Sequence, residues 1–114
     1  MRDKIKALKL DGKTVELIDL PDPNEPNDAL KKEVERIIGG RNIAVKISED
    51  ALIIAAEHGE KAGYSQNPLA SLVMRQQVFG TALIIGAKKI EEETGDTWVD
   101  DVPNDIVNAL MGDG

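Results

Sequence analysis

Histidine and cysteine carry much of the metal and nucleophile chemistry of proteins, and this chain of 114 residues has one histidine, His58, and no cysteine. Thiol nucleophiles, thiolate zinc sites and disulfides are therefore excluded. A catalytic zinc takes three protein ligands rich in His or Cys, which His58 alone does not supply. Oxygen ligands remain: Asp96, Asp100, Asp101 and Asp105 lie close along the chain. They lack the one-in-two spacing and the closing Glu of a calcium loop. No metal and no cofactor are expected. His58 follows an apolar run in Ala56-Glu57-His58-Gly59. Neighbours on a strand point to opposite faces, so Glu57 is poorly placed to orient the imidazole, and a solvent-facing turn histidine is the plainer reading. Ser48, Ser65 and Ser71 sit in no nucleophile-elbow context. Neither the dinucleotide nor the Walker glycine pattern occurs. The chain is expected to be no enzyme, with a small enzyme built on His58 left as an alternative.

Two groups of residues suit binding instead. Residues 63–77 hold the single Tyr, Tyr64, with Asn67, Arg75, Gln76 and Gln77. A loop that brings Tyr64, Asn67, Arg75 and Gln76 to a sheet edge can stack on a base and clamp an anion. The plainer reading is that Tyr64 caps the core and Asn67 holds a turn. The second group is a charge block. Net charge is −7, from 14 basic and 21 acidic residues, and residues 91–114 hold eight acidic residues and no basic one. Glu91, Glu92, Glu93, Asp96, Asp100 and Asp101 form its dense part. Such a block is either a solubilising surface or a docking surface for a basic protein partner, mimicking a nucleic-acid backbone. Direct binding to duplex nucleic acid is not expected, because that affinity comes from Lys and Arg.

The elements that must position these groups are legible in the hydrophobic pattern. Lys4 to Leu10 and Thr14 to Leu20 predict a hairpin about Asp11-Gly12. Leu8-Lys9-Leu10 shifts the apolar phase, which calls for a bulge or for a strand buried on both faces. Three prolines within Pro21–Pro26 make a loop. Asn27 or Asp28 then caps a helix with Leu30, Val34, Ile37 and Ile38 inward, stopped by Gly39-Gly40. Asn42–Ser48 and Ala51–Ala56 predict a second hairpin, its second strand central. A helical turn over Leu69–Met74 and a strand from Val78 to Ile85, ended by Gly86, follow. Gly80-Thr81 inside that strand signals a bulge or a close backbone approach. Trp98 and Val99 fold back as an anchor, and Pro103 starts a last helix with Ile106, Val107, Leu110 and Met111 on its apolar side.

One α+β domain over residues 1–114 results, its acidic segment 91–114 ending in a short helix. It has a mostly antiparallel or mixed sheet of about five strands, from two hairpins and a central strand, with two helices packed on it. Aromatic residues make up 3% of the chain, so the core is aliphatic. The sequence Met1-Arg2-Asp3-Lys4-Ile5-Lys6 has no apolar secretion core, and no apolar run approaches the ~20 residues of a membrane helix. A cytoplasmic protein without membrane contact is expected. A free sheet edge makes a homodimer an option.

Gly39-Gly40, the run Glu57-x-Gly59-x-Lys61-x-Gly63-x-x-x-Asn67, and Phe79-Gly80-Thr81-Ala82-Leu83-Ile84-Ile85-Gly86 together carry a resemblance. In this order the chain resembles, over residues 4–110, a family of short proteins found in phage, plasmid and conjugative-element genomes and known as a domain of unknown function. Family members often have Leu-Pro-Pro before the Asn and Arg after it, where this chain has Tyr64-Ser65-Gln66 and Pro68. The resemblance implies a mobile-element setting and no established activity; together with the acidic block and the lack of a catalytic constellation, it makes an antagonist of host defence the leading expectation. It supplies no catalytic residues.

Overall fold

The computed structural model describes residues 4–12, 14–22, 27–88 and 98–111. Its strands are β1 (Lys4–Asp11), β2 (Thr14–Pro21), β3 (Asn42–Ser48), β4 (Ala51–Ala56), β5 (Ala82–Lys88) and β6 (Trp98–Asp100). Its helices are α1 (Ala29–Ile38), α2 (Pro68–Met74) and α3 (Asn104–Met111). Five strands form an open sheet in the order β2-β1-β5-β4-β3, with β6 attached to β5. All the pairings are antiparallel. The fold is α+β as the pattern predicts, with α2 a complete helix and thus a third one.

The phase shift in β1 resolves as burial on both faces. Its register with β2 runs unbroken from Lys4↔Pro21 to Asp11↔Thr14, so no bulge intervenes. Leu8 and Leu10 join Ile53, Ala55, Ala82 and Ile84 in a cluster with Ala70 and Met74 of α2 and with half-buried Ile106, Val107 and Leu110 of α3. Ile5 and Ala7 point the other way and join Leu20, Ile54, Leu83 and Ile85 against Val34 and Ile38 of α1. The central strands thus read as nearly continuous apolar runs because helices cover both sides. A bulge falls elsewhere, at Ile47, between the pairs Lys46↔Leu52 and Ser48↔Ala51.

Helix α1 stops as expected. Gly39 takes φ +94° and donates to the Glu35 carbonyl at 2.8 Å, a conformation that costs a side chain dearly and glycine little. Its start differs from expectation. Asp28 holds the cap position but its side chain makes no capping bond, because both Asn27 and Asp28 are left-handed, at φ 65° and 55°. A capping side chain needs the extended backbone that sets it over the first-turn amides.

Strand β5 also departs from the prediction. It starts at Ala82 rather than Val78 and continues through Gly86 to Lys88. Gly80, at φ +92°, turns the chain before the strand begins, while Phe79 makes only an isolated bridge to Gln66. Gly86 lies inside the strand because β6 presses on it: a Cβ there would overlap the Asp101 carbonyl. The returning segment 98–102 wedges between β5 and the start of β1. Gly86 pairs with Asp100, Lys6 N–H donates to Asp101 Oδ1 at 2.8 Å, and Val102 N–H donates to the Lys6 carbonyl at 2.9 Å. Trp98 and Val99 therefore return as backbone-paired residues of β6. Among the described residues no helix is long and apolar enough to cross a membrane.

Candidate functional site

The segment 57–81 is positioned by the turn after β4, by α2 and by the start of β5, and Asn67 ties the three together. Its side chain is 1% exposed. Nδ2 donates to the carbonyls of Leu10 at 2.9 Å and Gly80 at 2.8 Å, and Oδ1 accepts from Ala70 N–H at 3.1 Å as the cap of α2. The backbone adds Asn67 N–H to the Val78 carbonyl at 2.8 Å. Ser71, which the sequence pattern left unassigned, completes the knot. Its hydroxyl donates to the Asn67 carbonyl at 2.7 Å and accepts from Val78 N–H at 2.9 Å. Asn67 thus holds a turn, with no polar atom left over for a ligand.

Tyr64 is a strut between the end of α1 and the loop before β5. Its hydroxyl donates to the Gly39 carbonyl at 3.0 Å. The ring lies so close to Gly80 that a Cβ there would come within 2.8 Å of Cδ2. The half-buried ring also lines a cleft of about 370 Å³, together with Asp11, Ile37, Ser65, Gln66 and Thr81. A second cleft of about 410 Å³ shares Ile37 and Thr81 and adds Lys9, Glu16, Glu33 and Arg36. These clefts offer an aromatic face, hydroxyls, an amide and mixed charge. Of the residues proposed for a ligand, only Tyr64 reaches them: Asn67 is committed to the fold, while Arg75 and Gln76 are exposed at the C-terminal end of α2, where Arg75 takes φ 60°. Lys9 and Thr81 are cleft residues that spacing did not single out. Both fall in stretches that read as strand, where period-two alternation assigns a face but not a groove.

Arg36 donates to Glu33 through Nε at 2.7 Å and through Nη2 at 2.6 Å. The hydrogen bond from Arg36 holds the Glu33 carboxyl below its ordinary value, against the opposing effect of burial, with the charges of Arg36 and Lys4 assisting. The Arg36 guanidinium rises correspondingly through its bond to Glu33.

His58 is exposed in the turn that follows β4, beside Glu57, Gly59, Lys61 and Phe79 in a shallow cleft of about 250 Å³. Its Nε2 lies 3.8 Å from Glu57 Oε1, too far for a hydrogen bond. The two side chains do approach, because β4 ends at Ala56 and strand alternation no longer governs them. Among the described residues no group of three or more His, Cys, Asp or Glu side chains is placed to hold a metal.

The acidic candidates divide. Glu91, Glu92, Glu93 and Asp96 lie outside the described residues. Asp100 and Asp101 are built into the wedge: Asp100 Oδ1 accepts from Asp101 N–H at 2.8 Å, and Asp101 Oδ1 accepts from Lys6 N–H. Lys88 pairs with Trp98, so the connection holding the other four acids leaves and rejoins the sheet at one place. No protein-family model matches the chain, and neither a curated protein nor a solved structure shows significant similarity to it.

Proposed function

We propose that this protein works by binding and not by catalysis, as an accessory factor of a phage or other mobile element. It docks on a basic protein partner, such as a component of host defence, through its acidic segment. The observation that carries this reading is the charge distribution. Glu91, Glu92, Glu93 and Asp96 fall within the nine residues that join the paired positions Lys88 and Trp98. Clustered charge of one sign speeds encounter with a surface of the other sign and selects it. Asp100 and Asp101 then serve the fold.

The test is capture of partners from a bacterial lysate by the tagged chain, beside a variant with Glu91, Glu92 and Glu93 changed to Lys and Asp96 to Asn. A stoichiometric basic partner is expected, bound less tightly as salt rises and lost with the variant. Undiminished binding by the variant overturns the reading. Leaving Asp100 and Asp101 intact keeps a loss of binding separate from a loss of fold.

A second reading, sequestration of a nucleotide signal, is supported by the cleft beside Tyr64. A nucleotide that raises the melting temperature of the wild type but not of Tyr64→Ala would favour it. A wild-type melting temperature unmoved by every nucleotide tried would sink it.

A further inference from the structure

Among the described residues the sheet ends in two strands that have one neighbour each, β2 and β3. A terminal strand leaves a row of backbone donors and acceptors open to another strand. The two edges differ in what they tolerate. Strand β2 carries Glu16 and Asp19, no Lys or Arg, and ends in Pro21. Self-pairing there would gather four carboxylates on two strands and lose a donor at each proline. Strand β3 carries one charged residue, Lys46, and no proline. Its two ends bear opposite charge: exposed Arg41 precedes it, and exposed Glu49 and Asp50 follow it.

We propose that β3 is a self-association edge, through which two copies of this chain pair antiparallel about a dyad at Val45. Each sheet then continues into the other. In this register Lys46 lies opposite Ala44, Ile43 meets the bulge at Ile47, and Arg41 of one copy comes beside the acidic turn Glu49-Asp50 of the second, so no like charges face each other directly. Ile43, Val45 and Ile47 are half-buried and belong to the core face shared with α2, which the second copy's strand extends. The bulge at Ile47 and the central Lys46 are common ways of blunting an edge. Seven residues of strand bury less than the ~1,600 Å² of a standard interface. The dimer is therefore concentration-dependent, and the contacts of Arg41 with the Glu49-Asp50 turn set its register.

Sedimentation velocity of the full chain over a concentration series, at low salt, tests this. The wild type is expected to pass from monomer to dimer. Arg41→Glu and Glu49→Arg each place like charges beside one another and should weaken association about tenfold, a difference of ~1.4 kcal/mol. The double exchange should restore it, which a folding defect would not do. Because the chain has no cysteine, Val45→Cys provides a second measurement. Opposed Cα atoms of an antiparallel pair lie ~4.5–5.5 Å apart, within disulfide reach. Mild oxidation should yield a covalent dimer from Val45→Cys and none from Leu17→Cys on the other edge. A wild type monomeric at all concentrations, single exchanges without effect, or a Val45→Cys chain that stays monomeric overturns the proposal.

Discussion

Asn67 concentrates more of the fold in one side chain than any other polar residue described, and its loss has a calculable consequence. Asn67→Ala takes one hydrogen bond each from the Leu10 and Gly80 carbonyls and the Ala70 amide, in buried or half-buried surroundings. A group left unsatisfied by such a loss costs ~1–3 kcal/mol. Partial access to water lowers the sum, and urea denaturation should register a loss of about 3 kcal/mol. Asn67→Asp is expected to be worse at neutral pH, since a carboxylate would face two carbonyl oxygens. Burial and those oxygens raise the folded-state pKa of such an Asp above its unfolded value. Its stability should therefore be greatest in acid and fall as the pH rises. Equal stability of the two variants at neutral pH would contradict the assigned donor pattern. Tyr64→Phe is the milder counterpart. It removes the bond to the Gly39 carbonyl and keeps the ring against Gly80, so a loss of about 1 kcal/mol is expected from denaturation.

At the scale of elements, the wedge made by β6 is the least expected feature and the easiest to break. In Gly86→Ala the new methyl group and the Asp101 carbonyl claim the same space. Overpacking of this kind costs ~1–3 kcal/mol. The Lys6 amide, which Asp101 holds, should move most in the NMR spectrum of the variant. Unchanged Lys6 and Asp101 resonances would refute the close approach. The Glu33–Arg36 pair on α1 is exposed and contributes little, but its pH dependence has a definite sign. The lowered Glu33 pKa means that any stabilisation is present above the ordinary carboxylate range and disappears as the pH falls. Wild type and Glu33→Gln should then melt together in acid. A difference that grows toward low pH would contradict this. The sequence made α1 and the two hairpins readable because each is bounded by glycine or by polar turn residues. It did not separate β5 from Val78-Phe79, since both stretches are apolar and Gly80 reveals its positive φ only in three dimensions. Gly86 reads as a strand end for a similar reason: its meaning lies in Asp101, distant along the chain. Of the candidate ligand set, Asn67 is spent on holding the turn, and Arg75 and Gln76 lie away from the cleft that Tyr64 lines, because polarity in a loop does not by itself say where a side chain points.

For the whole molecule, the sheet's layering predicts a gradient of backbone protection. Strands β1, β5 and β4 have strands on both sides and contribute the most buried side chains, among them Leu8, Leu10, Ile53, Leu83 and Ile84. Their amides should exchange with solvent only through global opening, which costs roughly 5–15 kcal/mol for a domain. On the edge strands half of the amides point inward to a neighbour and half point outward. Dilute protein should therefore show alternating protection along Ile43–Ile47, with the outward amides exchanging nearly as fast as a free chain. Raising the protein concentration should slow the outward amides of β3 and leave those of β2 unchanged, because only the β3 edge closes on a second copy. Under the proposed docking through the acidic segment, neutralising Glu91, Glu92, Glu93 and Asp96 should not alter this pattern, since none of the four belongs to β3. Uniformly slow exchange along β3 in dilute solution would mean that the strand is not an edge, and the strand order itself would need revision. Concentration-dependent slowing on β2 alone would keep the strand order and move the dimer to the opposite side of the sheet.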